Sequence, residues 1–225
     1  MKIYGDSMIN KNLVATLDKC GRVHIRTRKK FTQKMKVVIR KNSISYNYNI
    51  NNKMIEEIFP LQLGNGTYTI TLYKNVNGNK YSAEGQVSIK LKIENSNLPF
   101  LYPNQYVNYN NLKIPEDIIN IDTIKDYIIN NFKYDYVRAI KIKANELPDI
   151  TAALEKQMGI CQDLAAVFVA FCREKNIPAK LVIGTADTKL HAWCEYYENN
   201  SWYFFDPTGE IQNHFAKKYV VQRYY

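Results

Sequence analysis

A chain of 225 residues with 18 tyrosines and 9 phenylalanines is long and apolar enough to bury one sizeable core or two small ones without disulfides. The formal net charge of +10 favours an anionic partner, but only RTRKK, Arg26 to Lys30, is a dense basic run. No zinc-finger spacing or aromatic RNA-binding signature accompanies it, which argues against nucleic acid.

Nowhere do about 18 uncharged apolar residues run together, so no membrane-spanning helix is expected. The opening MKIYGDSMINKN lacks the apolar run of a secretion signal. Cys20, Cys161, Cys172 and Cys194 show no C-x-x-C spacing, which signals neither a zinc ribbon nor a disulfide scaffold.

From about Leu13 to Ile93 apolar and polar residues alternate, and GRVHIRTR, KMKVVIR, SISYNYNI, GTYTITLY and QVSIKLKI read as strands. NVNGN, Asn75 to Asn79, reads as a hairpin turn because Asn and Gly tolerate positive φ. Several short strands in about 80 residues predict a β-sandwich. In LGNGTYTI a glycine-bearing turn leads into Tyr68, either the tyrosine corner of an immunoglobulin-like sandwich or an ordinary strand tyrosine.

The stretch from Glu94 to Asn111 breaks the alternation with two prolines and six asparagines, and the domain junction belongs there, giving domains 1–98 and 99–225. The period then becomes helical. Ile118, Ile121, Ile124 and Ile128 predict an amphipathic helix running to about Asn131. Asp149 is a suitable cap for a second helix, ITAALEKQ, which Gly159 would end. In the third, Leu164, Val167, Phe168, Phe171 and Cys172 form one buried stripe, with Cys161 ahead of it in the first turn, and KNIP stops the helix. AKLVIGT, HAWCEYY and SWYFFDPT follow as strands, so the fold class is α+β.

A helix N-terminus presents unpaired N–H groups and a partial positive charge, which stabilise a thiolate in the first turn. Cys161 has that position, whereas Cys172 lies on the apolar stripe and reads as a small core residue. A thiolate nucleophile needs an imidazole to carry the proton and a third group to orient the ring. His191 opens one strand and Asp206 closes the next, with ENN as the turn between them; a tight hairpin would set the two side by side. Singly, each residue is more often structural than catalytic, and a zinc ion held by the same three side chains is a competing reading that lacks a fourth ligand.

The segments GICQDLAAVFVAFCREKNIPAKLVIG and HAWCEYYENNSWYFFDPT, in that order, resemble the transglutaminase-like superfamily, with its G-x-C helix start, H-A-W strand and D-P-T strand end. The resemblance covers about Asp149 to Gly209 and extends more weakly over IDTIKDYIINNFKYD; the N-terminal half is similar to the β-sandwich module that accompanies this domain in some bacterial proteins. It implies a papain-like catalytic domain in which Cys161 is the nucleophile, His191 the general base and acid, and Asp206 the orienting carboxylate. Tyr134, Gln162 and Trp193 are the further candidates for oxyanion or substrate contacts.

The expected activity is thiol acyl transfer on protein or peptide amides, by cross-linking or by hydrolysis. No acidic loop of calcium-binding form is present, and no cofactor or metal is expected. Relatives of this two-part form often act outside the cytoplasm, which makes an anionic cell-surface polymer a second expected partner. The alternative is a non-catalytic binding or scaffold protein of the same fold; the presence of Cys161 and His191 in their motifs argues against it.

Overall fold

The computed structural model describes residues 7–51, 53–110, 112–143 and 146–225. The start of the opening segment and Asn111, the last residue of the expected junction, lie outside the described residues. The chain divides into two compact units, one ending at Pro99 and the other beginning at Phe100.

The first unit consists of β1 (Ser7–Asn10), β2 (Leu13–Leu17), β3 (Arg22–Thr27), β4 (Met35–Lys41), β5 (Ile44–Ile50), β6 (Glu57–Pro60), β7 (Gly66–Asn77) and β8 (Lys80–Leu91). These pair antiparallel in two four-stranded sheets, β1-β2-β3-β6 and β5-β4-β7-β8. Alternation is visible in β4, where Met35, Val37 and Ile39 are buried and Arg40 is exposed. Tyr48 of one sheet meets Phe59 of the other with ring centroids 4.7 Å apart, so the inner faces pack as a sandwich. β1, β2 and β6, with four or five residues each, are too short to reveal a period of two in the sequence.

Gly78 makes the β7–β8 turn with φ +51°, next to the pair Asn77 and Lys80. Tyr68 is fully buried, and its hydroxyl donates to Gly64 O at 2.7 Å and accepts from Leu63 N at 2.9 Å. The hydroxyl thus ties β7 back to the turn that precedes it.

The second unit contains α1 (Ile121–Asn131), β9 (Lys133–Tyr134), α2 (Tyr136–Lys141), α3 (Ile150–Lys156), β10 (Met158–Gly159), α4 (Cys161–Glu174), β11 (Ala179–Ala186), β12 (Lys189–Glu198), β13 (Ser201–Phe205), α5 (Pro207–Gln212) and β14 (Tyr219–Tyr224). Four of its strands form an antiparallel sheet in the order β13-β12-β11-β14, and β9 pairs with β10 in parallel. With helices packed on the sheet, the architecture is α+β.

Local sequence explains most of the helix boundaries. α1 starts at Ile121, later than the isoleucine spacing predicts, because Asn120 accepts from Thr123 N at 3.0 Å while Thr123 Oγ1 accepts from Asn120 N at 3.1 Å, a reciprocal cap. α3 is capped by Asp149, whose side chain accepts from Ala152 N at 3.0 Å. It ends at Gln157, which takes the left-handed conformation (φ +47°), and not at Gly159. Glycine is needed at 159 for another reason: a Cβ there would sit 2.8 Å from Asp163 Cβ.

The single buried stripe expected of α4 understates its burial. Every residue from Asp163 to Arg173 is buried, because β11 and β12 cover one side and α1, α3 and α5 cover the others. Ala165, Ala166 and Ala170 keep the helix narrow enough for that enclosure. Arg173, 2 % exposed, survives there by donating to Ala179 O (3.0 and 2.8 Å), Tyr102 O (2.9 Å) and Tyr225 O (2.8 Å).

Candidate active site

Cys161 is the first residue of α4 and is half-buried. The parallel pairing of Gly159 with Tyr134, reinforced by Asp135 N to Gly159 O at 2.9 Å, fixes the chain entering the helix. Asp163, fully buried, ties the same entry to three elements. Its carboxylate accepts from Ile160 N at 3.0 Å, from Asp149 N at 3.0 Å and from the Arg138 guanidinium, which also reaches Glu146 at 3.1 Å. Sequence reasoning passed over Asp163; the available signal was an acidic side chain at the third position of a helix, where a carboxylate can reach back to the cap N–H.

His191 lies on β12, across from Gly184 on β11. Its Nε2 is 2.8 Å from Asp206 Oδ2, and Cys161 lines the same cleft as the imidazole. Burial disfavours charge on the ring, but the hydrogen bond to Asp206 and then the nearby Cys161 side chain outweigh it and push the His191 pKa up to about 9. The imidazole is therefore held as imidazolium at neutral pH.

Asp206 reaches the histidine by a route different from the direct cross-strand pairing expected. The β12–β13 register pairs Cys194 with Phe205; continued, it sets Trp193 across from Asp206 and Thr208 across from His191. Strand pairing stops at Phe205, and Asp206 turns into the cap of α5, with Oδ1 accepting from Thr208 N and Gly209 N at 3.1 Å each. That turn swings Oδ2 diagonally toward His191. The carboxylate, 2 % exposed, also receives the Tyr219 hydroxyl on Oδ2 at 2.9 Å. Tyr219 escaped sequence reasoning because it opens β14, a strand with no strong alternation of its own.

Residues 110–207 match the family profile of the transglutaminase-like superfamily, a span that contains Cys161, His191 and Asp206. Residues 110–207 are a transglutaminase-like domain. Among solved structures, a cysteine protease candidate from Cytophaga hutchinsonii is 17% identical, with a TM-score of 0.47, over 88% of this chain and 73% of that one. A structure described as a TGase is 24% identical over 44% of this chain and 28% of that one, with a TM-score of 0.37. The periplasmic domain of TgpA from Pseudomonas aeruginosa is 13% identical over 84% of this chain and 90% of that one, with a TM-score of 0.29. No curated protein matches the chain.

The transglutaminase-like domain opens at this site into a cleft of about 380 Å³, lined by Cys161, His191, Asp206, Tyr134, Leu190 and Tyr219 among others. Tyr134 faces the cleft, and its hydroxyl is pushed up to about 12, first by burial and then by the charge of Cys161. Gln162 is directed elsewhere, donating to Glu146 O at 3.1 Å. Trp193 is buried behind the imidazole, stacked near His191 at 6.3 Å, and is not part of the cleft lining.

Cys172 and Cys194 are fully buried, and burial pushes both thiols up. None of the four cysteines forms a disulfide. Among the described residues no group of three or more His, Cys, Asp or Glu side chains could hold a metal ion, and no helix is long and apolar enough to cross a membrane.

Proposed function

We propose that the transglutaminase-like domain is a thiol acyl-transfer enzyme acting on protein or peptide amides. The observation that carries this reading is that His191 is hydrogen-bonded to Asp206 at 2.8 Å in the cleft that Cys161, at the start of its helix, also lines. The Cys161 thiolate attacks the amide carbonyl, and the C–N bond breaks as the imidazolium gives its proton to the departing amine. The acyl group is left on sulfur as a thioester. Water or a lysine amine then attacks it, His191 takes up the proton, and the thiolate departs.

Asp206 keeps the ring oriented through both steps. The oxyanion formed at the carbonyl is met by the Cys161 backbone N–H, which has no partner within the helix, and by the Tyr134 hydroxyl, which stays protonated at neutral pH. The sandwich unit, read as immunoglobulin-like from the Tyr68 geometry, positions large substrates at the cell surface and contributes no catalytic group.

The test is mass spectrometry of a protein mixture incubated with the full chain, with and without a primary amine, comparing wild type with Cys161→Ala. Amine incorporation, deamidation or cleavage that depends on Cys161 supports the reading and tells water from amine as acceptor. Absence of all three, together with equally slow iodoacetamide labelling of the four cysteines, points to a non-catalytic binding protein of the same fold.

A further inference from the structure

We propose that Tyr219 is a positioning residue for the triad: its hydroxyl fixes which Asp206 oxygen faces His191 and limits how tightly that oxygen holds the imidazolium. The inference rests on the acyl-transfer reading above. An ionised carboxylate offers about four acceptor positions. In Asp206 they are filled by Thr208 N and Gly209 N on Oδ1, and by His191 Nε2 (2.8 Å) and Tyr219 OH (2.9 Å) on Oδ2.

Tyr219 comes from β14, outside the 110–207 segment that defines the domain. Its ring is wedged edge-on against Trp193 at 5.2 Å and Phe204 at 4.9 Å, and tilts against His191 at 6.2 Å. Ala216 N donates to its oxygen at 3.3 Å, which leaves the hydroxyl proton for Asp206. Burial and the bond to Asp206 keep this phenol protonated, pushing it up to about 12.

Two donors on one oxygen share its charge. Without the phenol, Oδ2 would concentrate its charge on the imidazolium and hold its proton more tightly. A ring that must donate a proton to the leaving amine works best with a pKa near the working pH, so Tyr219 keeps an already basic His191 from becoming more so. Other titratable groups lining the same cleft are Cys161 from α4, Tyr134 from β9, Asp187 and Lys189 at the β11–β12 turn, and His214 after α5.

The experiment is an NMR titration of the ¹⁵N-histidine-labelled full chain, with the His191 signal identified by its loss in His191→Gln. Tyr219→Phe should raise the His191 midpoint by about 0.5–1 unit. An unchanged or lowered midpoint overturns the proposal. Phe204→Leu disturbs the ring packing but keeps the hydroxyl and should leave the midpoint at the wild-type value; an equal upward shift there would make the effect one of packing and refute the proposal.

If Tyr219→Phe loses its near-ultraviolet circular dichroism, 3-fluorotyrosine placed at position 219 replaces it. As the stronger donor it should lower the midpoint, and a rise would count against the proposal. Failure of the parent reading is separately visible: iodoacetamide would then alkylate Cys161 no faster in wild type than in His191→Gln, whatever the histidine titration shows.

Discussion

Raising the pH should remove a defined amount of stability from the second unit through His191. The folded-state value of about 9 stands above the ordinary 6.5, so the native ring keeps a proton that the unfolded chain gives up. That contribution is complete below pH 6.5 and is lost as the pH climbs through 9. Each unit in the window removes about 1.4 kcal/mol, and the whole window about 3 kcal/mol. The imidazole is only 16% exposed, so solvent screening does not erase the effect.

Both tryptophans, Trp193 and Trp202, belong to the second unit, and urea unfolding followed by indole fluorescence therefore reports on that unit. Measured in steps across the window, the difference between wild type and His191→Gln cancels groups common to both. The wild-type advantage should shrink by about 3 kcal/mol. In a Cys161→Ala background the loss should be smaller but still present, since Asp206 comes first among the partners that raise the pKa. A difference that stays flat through the window, or grows with pH, would refute the assignment of a charged imidazole held by Asp206.

Gly184→Ala should destabilise this unit by about 3 kcal/mol, the upper end for overpacking, because the added Cβ would meet Val220 O at 2.1 Å and Trp193 Cη2 at 2.6 Å. The same fluorescence assay reads it, and hydrogen exchange should show β14 loosening first; a change under about 0.5 kcal/mol would mean the β11–β14 bulge adapts. Arg138→Met, which leaves the buried Asp163 carboxylate without its counter-ion, should cost about 3 kcal/mol, and adding Asp163→Asn should recover part of it. Simple additivity of the two changes would argue that the pair is not coupled.

The strands of the first unit that carry a long period of two were legible because one side of each faces a core. The shortest strands offered too few residues to show it. α2 was invisible for the opposite reason: none of its residues is buried, so no apolar stripe marks it. Periodicity also understated α4, since a stripe records the most apolar face and says nothing of alanines that permit enclosure on the other sides. The order Cys161, His191, Asp206 could be read as chemistry from residue types, but the way Asp206 approaches His191 could not. It depends on where pairing with β12 stops, and that is set by Pro207 and the capping of α5. Tyr219 was hidden because its relation to Asp206 is purely tertiary.

His191 and Asp206 hang from a single two-residue turn, Asn199 and Asn200, both in the left-handed region at φ +47° and +62°. The turn acts as a ruler for the pair, whose separation along the chain is 15 residues. One residue inserted in the ribbon would rotate every following side chain to its opposite face and carry the carboxylate away from the ring. The length of this hairpin is therefore dictated by the distance over which the carboxylate must reach the ring.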